Sequence, residues 1–239
     1  MIFVGRGALL GRAVRSALAS GHRVDLVCVP PGEPQTAAWE AAGVRVLVTE
    51  HVNAAAPILL DACSDGVGWS INNPVILRGG LLDSGVRFYN IHNGPLPAYR
   101  GIPEVAVVHA ILRGEQRYAG TLHRVDAGID TGEVLDVEEF PIADDDGFAE
   151  VMMHGLRACH TLFERNVGRV LRDDVQPSAA AIRAADRAAA DGVRAGYYGR
   201  PERAALAEFA DHPRFARATA FGVFTPHVAD LADLADLTG

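Results

Sequence analysis

The 239-residue chain contains no lysine; all 22 of its basic residues are arginine. That absence excludes two classes of chemistry. A Walker-type phosphate loop needs a lysine at the phosphates, and a pyridoxal or other Schiff-base enzyme needs a lysine amine. Positive charge is also outnumbered, with a net charge of −8 at neutral pH. A nucleic-acid binder normally presents a basic face. The acidic run Asp144-Asp145-Asp146 and the later Asp230, Asp233 and Asp236 work against one, so no nucleic-acid partner is expected.

Cysteine is scarce. Cys28, Cys63 and Cys159 are far apart and form no CxxC pair. They read as small core residues in a reducing compartment rather than as disulfides or zinc ligands. No run approaches the ~20 apolar residues of a membrane span; the longest, Val105 to Leu112, contains His109. Met1-Ile2-Phe3-Val4 passes straight into a glycine turn, unlike a secretion signal. A cytoplasmic location without a membrane partner follows as the expectation. No internal repeat and no clear linker precedes residue 228, which suggests one domain over 1–228 and a tail over 229–239. With 49% hydrophobic residues, a domain of this length can bury a core without metal or disulfides.

Short apolar runs alternate with helical stretches. Ile2 to Val4, Arg23 to Val29, Val44 to Val48, Val67 to Ile71 and Val86 to Ile91 read as strands. Ala8 to Ala19, Gln35 to Ala42 and Ala54 to Cys63 read as helices. This alternation predicts βαβ units, hence an α/β, Rossmann-like fold with a mainly parallel sheet flanked by helices. Beyond it, Glu104 to Arg113 and Gly147 to Leu171 read as helices, and Gly120 to Val125 and Val134 to Phe140 as strands. After Pro177 the chain becomes rich in Ala, Arg and Asp, and its pattern is weak.

Gly5-Arg6-Gly7-Ala8-Leu9-Leu10-Gly11 is one residue too long for a GxGxxG dinucleotide fingerprint, and the second strand ends on Val29 without an acidic ribose contact. It reads as a tight strand-to-helix turn able to lend N–H groups to an anion. The informative stretch is Phe88 to Gly101. Asn90 and His92, two apart at the end of a strand, share one face. They lead into a stiff loop carrying Gly94, Pro95, Pro97 and Gly101. A second block, Gly120-Thr121-Leu122-His123-Arg124-Val125-Asp126-Ala127-Gly128-Ile129-Asp130-Thr131-Gly132, ends a strand and presents Asp126 and Asp130 on a glycine-bracketed turn. An aspartate beside a histidine raises the imidazole pKa and fixes its tautomer, and an imidazolium beside an amide donor suits a developing oxyanion. His109, His123, His154, His160 and His227 show no metal-ligand spacing, so no metal is expected.

Asn-Ile-His, a Pro-Leu-Pro loop closing on Arg-Gly, and Gly-Thr-Leu-His followed by Asp-x-Gly-Ile-Asp-Thr-Gly together resemble the 10-formyltetrahydrofolate-dependent formyltransferase family. The resemblance implies the formyltransferase fold and formyl transfer from 10-formyltetrahydrofolate to an amine. It makes Asn90, His92 and Asp130 the catalytic trio, with His92 held protonated by Asp130 and the Asn90 amide stabilising an oxyanion. It places the pterin between the strand-to-helix connection at Asn73, Pro74, Val75 and Ile76 and the loop at Asp126, Ala127 and Gly128. His92-Asn93-Gly94 departs from the family's usual His-Pro-Ser or His-Gly-Ser. Asn93, Gly94, Tyr99 and Arg100 are therefore candidate acceptor contacts.

The acceptor is expected to be a small-molecule amine. Amino-sugar nucleotides, and amines of specialised metabolites either free or on a carrier protein, stand ahead of glycinamide ribonucleotide. Enzymes acting on the last hold its phosphate at the first glycine turn with Ser-Asn, which this chain lacks. Hydrolysis of the formyl donor is an alternative activity. The resemblance also leaves room for a homodimer.

Overall fold

The computed structural model describes residues 1–228; the expected tail at 229–239 lies outside the described residues. Its first half is a βα alternation: β1 (Ile2–Gly5), α1 (Gly7–Ala19), β2 (Leu26–Val29), α2 (Thr36–Ala41), β3 (Arg45–Val48), α3 (Ala56–Ala62) and β4 (Val67–Ile71). These strands and β5 (Arg87–Asn93) run parallel. The short strand β6 (Arg100–Gly101) and helix α4 (Pro103–Arg113) follow. Pro103 opens α4, where a missing N–H costs nothing, and Gly114 closes it in the left-handed region that glycine enters freely.

β7 (Arg117–Arg124) and β8 (Val134–Pro141) then join the sheet antiparallel, giving the order β3-β2-β1-β4-β5-β7-β8. The long helix α5 (Phe148–Leu171) crosses one face. Its Phe163 ring meets Trp69 and Phe3 at centroid distances of 4.9 and 5.9 Å. Burying each such ring contributes roughly 1.5–3 kcal/mol. On the opposite face Ile2, Val4, Leu59, Leu77 and Phe88 form a second cluster.

The weakly patterned region after Pro177 is ordered. Helix α6 (Ala179–Ala190) covers β8, capped by the Ser178 hydroxyl, which accepts from the Ala181 N–H. Ser178 also donates to the buried Asp136 (2.5 Å), which accepts from Asn166 (2.7 Å) and Arg165 (2.8 Å) as well. β9 (Tyr197–Tyr198) pairs in parallel with β6. The short helices α7 (Arg200–Ala204) and α8 (Phe215–Ala218) and a 3₁₀ turn at Gly222–His227 follow, with Phe215 and Phe221 buried beside α4 and α5.

Two differences from the sequence reading have local causes. β5 runs on through His92 and Asn93, because β7 supplies an antiparallel partner for both. The segment after Ile71 leads to no α-helix, only to a short 3₁₀ turn at Leu82–Ser84. Pro74 and Gly79-Gly80 interrupt any helical ladder there.

Candidate active site

The site forms where β5 leaves the parallel half of the sheet and meets β7. Alternation along β5 sends Tyr89 and Ile91 into the core under α5. Asn90 and His92 take the opposite face. Asp130 comes from the connection between β7 and β8, at a φ of 52° that aspartate tolerates better than most residues.

These three side chains converge. His92 Nδ1 lies 3.5 Å from Asp130 Oδ2, and Asn90 Nδ2 donates to Asp130 Oδ1 at 3.3 Å. The Gly101 N–H donates to Asp130 Oδ2 at 2.9 Å. His92 is almost wholly buried, and its Nε2 donates to the main-chain carbonyl of Tyr99 at 2.6 Å. A fourth group, which the sequence reading gave no role, completes the cluster. His123 Nε2 lies 3.1 Å from Asn90 Nδ2 and 3.4 Å from Asp130 Oδ1. Its signal was present as pairing geometry, since His123 stands directly opposite Asn90 in the β5–β7 ladder.

Burial pulls the His92 imidazole below its ordinary pKa; the Asp130 carboxylate and the Tyr99 carbonyl act against this without overcoming it. Burial alone would raise Asp130. The neighbouring His92 ring and the Gly101 N–H work to reverse that, and the carboxyl is held well below the usual range. Burial thus works against the imidazolium expected from the sequence, while the Asp130 carboxylate beside the ring works for it. A neutral ring has one N–H. In that form Tyr99 takes it, which leaves the Nδ1 lone pair toward the carboxylate.

The expected acceptor contacts are placed differently from one another. Gly94 packs on the histidine itself, and a Cβ there would sit 2.6 Å from His92 Nε2 and 2.7 Å from the Tyr99 carbonyl oxygen. Asn93 faces the other way. It is buried with its amide on Met152 Sδ (3.6 Å) and against Gly155, because period two puts it on the face of Ile91. Tyr99 offers the site its carbonyl, while its ring stacks on Tyr198 (5.0 Å) and its hydroxyl donates to Glu115 (2.7 Å). Arg100 donates to the Gly196 carbonyl (3.4 Å).

The two segments expected to flank a pterin have self-contained shapes. Asn73 donates to Ser70 Oγ (3.2 Å) at the end of β4, and Ser70 pairs with Asn90 in the sheet. That puts the segment beside the trio. Asn73 also bonds both the N–H and the carbonyl of Val75, and Asn53 donates to the Ile76 carbonyl. Asp126 accepts from the Gly128 N–H (3.0 Å) and the Thr131 hydroxyl (2.6 Å), leaving Ala127 and Gly128 exposed on a fixed loop. A 260 Å³ cleft includes Asn73, Pro74 and Val75 together with Gly5, Arg6 and Val52. A second cavity of 290 Å³ lies against Tyr99, Arg113 and Tyr198.

At the first glycine turn the anion is the chain's own. The Gly7 N–H donates to Glu33 Oε2 at 2.9 Å, and Gln35 donates to the Gly7 carbonyl at 3.3 Å. Among the described residues no group of three or more His, Cys, Asp or Glu side chains could hold a metal ion. No helix among them is long and apolar enough to cross a membrane.

Sequence comparison matches residues 80–167 to the formyl transferase family model. The methionyl-tRNA formyltransferase of Chromobacterium violaceum is 29% identical over 174 residues, covering 66% of this chain and 55% of that protein. The chain thus spans about half the length of that relative. The glycinamide ribonucleotide transformylase 1 of Symbiobacterium toebii superposes with a TM-score of 0.66 at 20% identity, over 75% of this chain and 90% of that one. An N-formyltransferase from Helicobacter canadensis, solved with folinic acid and dTDP-3-aminofucose, superposes with a TM-score of 0.63 at 17% identity, over 84% and 71%. The fold is that of the formyltransferases. The matched segment contains Asn90, His92, His123 and Asp130, and over that stretch the chain is similar to the formyl transferase family.

Proposed function

We propose that the chain transfers a formyl group from 10-formyltetrahydrofolate to the amine of a small molecule, with Asn90, His92 and Asp130 as its catalytic residues. The carrying observation is their convergence at the β5–β7 junction. In this reading the pterin of the donor lies between the segments at Asn73, Pro74, Val75, Ile76 and at Asp126, Ala127, Gly128. Pro74 and Val75 offer apolar surface there, and loop 126–130 offers exposed main chain. The Helicobacter canadensis neighbour, solved with folinic acid, supports a folate in this fold. No metal takes part in this scheme.

The proton inventory sets the mechanism. Neutral His92 sits between two acceptors, so both ring nitrogens are satisfied only once it takes a proton. Attack of the amine nitrogen on the formyl carbon makes that nitrogen acidic. His92, backed by Asp130, accepts the proton, and the imidazolium so formed offsets the charge on the formyl oxygen. The proton then serves the departing folate nitrogen as its bond to the formyl carbon breaks. The products are the formamide and tetrahydrofolate.

For the acceptor, an amino-sugar nucleotide or an amine of a specialised metabolite, free or on a carrier protein, is favoured over a phosphoribosyl amine. Glu33 already occupies the start of α1, where a substrate phosphate would otherwise bind. Gly94 and the carbonyl side of Tyr99 border the acceptor, whereas Asn93 shapes the loop from behind. The test is an acceptor screen with 10-formyltetrahydrofolate, pooling nucleotide amino sugars, amino acids and carrier-bound aminoacyl thioesters. Tetrahydrofolate is followed by absorbance and products by mass. Tetrahydrofolate formed only with an amine supports the transferase; formate release without any amine makes the protein a hydrolase instead.

A further inference from the structure

Resting on that reading, we infer that His123 is a positioning residue that locks the Asn90 amide with its carbonyl oxygen toward the attacking amine. The argument is an inventory of hydrogens. His123 Nδ1 lies 2.7 Å from the main-chain carbonyl of Arg124, which can only accept, so Nδ1 carries the hydrogen. In the neutral ring Nε2 is then an acceptor. It faces one atom of the Asn90 amide at 3.1 Å, and that same atom faces Asp130 Oδ1 at 3.3 Å. Both neighbours are acceptors, so the shared atom must be Nδ2, and each of its hydrogens is committed. A ring carrying a hydrogen on Nε2 as well could turn it toward Asp130 Oδ1 at 3.4 Å, but would set two donors against each other at the shorter 3.1 Å.

Asn90 Oδ1 is what remains. It takes no hydrogen bond from the described residues, and it is not among the buried polar atoms lacking a partner, so it stays accessible. An exposed carbonyl oxygen beside His92 suits the N–H of an incoming amine. It cannot donate to a developing oxyanion, the part expected of Asn90 from the sequence. His123 does this without touching substrate, from the neighbouring strand, at the register position opposite Asn90.

Two experiments decide the matter. In the first, ¹⁵N–¹H spectra of histidine side chains are recorded on the unliganded wild-type chain, with His123 assigned by its loss in His123→Gln. The Nδ1–H tautomer is expected. A hydrogen on Nε2, in the neutral or the cationic ring, overturns the proposal whatever the activity. The second compares variants in formyl transfer. Gln can set its Oε1 where Nε2 stands, so His123→Gln should keep kcat within about 3-fold of wild type. His123→Leu frees the Asn90 amide and should lose on the order of 100-fold in kcat, with folate affinity by direct titration unchanged. Wild-type turnover in His123→Leu, or equal loss in both variants, overturns it. Should the wild type formylate no amine at all, the transferase reading fails, while the tautomer measurement still tests the position of Asn90.

Discussion

The Nε2 of His92 donates to the main-chain carbonyl of Tyr99 across 2.6 Å. A buried histidine is thereby held by the backbone of the loop that follows it, so the loop and the proposed base form one unit. The ring of Tyr99 is in turn stacked on Tyr198, with the Arg113 guanidinium 5.8 Å from its centroid.

Removing any of the three proposed catalytic groups should be costly in rate. Asn90→Ala, His92→Ala and Asp130→Ala are each expected to lower kcat by ~100-fold or more, the scale of losing one preorganised polar group. Steady-state kinetics with an acceptor from the screen, beside a far-ultraviolet dichroism check of folding, measures this. Wild-type kcat in a folded His92→Ala variant would remove His92 from the mechanism.

Gly94 tests the contact between loop and base. A Cβ there would lie 2.6 Å from His92 Nε2 and 2.7 Å from the Tyr99 carbonyl oxygen. Gly94→Ala must therefore displace one or the other. Loss of kcat on the order of 100-fold is expected from such a displacement, together with a fall in unfolding temperature by calorimetry. An alanine variant with unaltered kcat would mean that this contact is not needed.

The pH dependence follows from the direction of the His92 shift. Its folded value lies below the ordinary ~6.5, so below that pH the unfolded chain binds a proton that the folded chain resists. Stability from this source is complete above ~6.5 and falls as the pH drops toward the folded value. Activity should follow the same direction, level at neutral pH with an acid limb below ~6.5, because only neutral His92 can take the amine proton. Asp130, whose folded value is depressed, stays ionised through that limb. A kcat profile that rose with acidification would refute a neutral base.

Asp136 should matter for stability rather than rate. Its carboxylate is buried and accepts from Ser178, Asn166 and Arg165, joining β8 to α5 and to the cap of α6. Hydrogen bonds to a buried charge are worth about 1.5–3 kcal/mol each when broken. Asp136→Ala is therefore expected to lower the urea midpoint substantially, with kcat of the folded fraction unchanged. Burial opposes ionisation of Asp136, but its three partners prevail and keep the pKa low. This contribution is present above the unfolded value of ~3.9 and is lost only as pH falls through the lower folded value.

The sequence spoke most clearly where one physical signal stood alone. β4 lies where its apolar run places it, Val67–Ile71, and α1 and α5 follow their apolar spacing. The convergence of Asn90, His92 and Asp130 was foreseen only because two motifs resembled a family. What depended on pairing was not legible. His123 enters the cluster only once β7 lies antiparallel beside β5, which no local pattern announces. The side of the strand taken by Asn93 follows from period two, yet its polarity suggested loop. The helix after Pro177 was obscured because alanine and arginine make a weak apolar face, and α6 is held by Ser178 and the Asp136 network instead.

Tyr89 and Ile91 fill the core from the same seven residues that present Asn90 and His92 on the reverse side. Adding or deleting one residue in β5 would exchange the two sets at a stroke, driving imidazole and amide under α5 and turning the apolar pair outward. Mutational drift thus has no route to a well-packed relative that has merely mislaid its reactive groups by a shifted frame: in this strand, sturdiness and reactivity fail together.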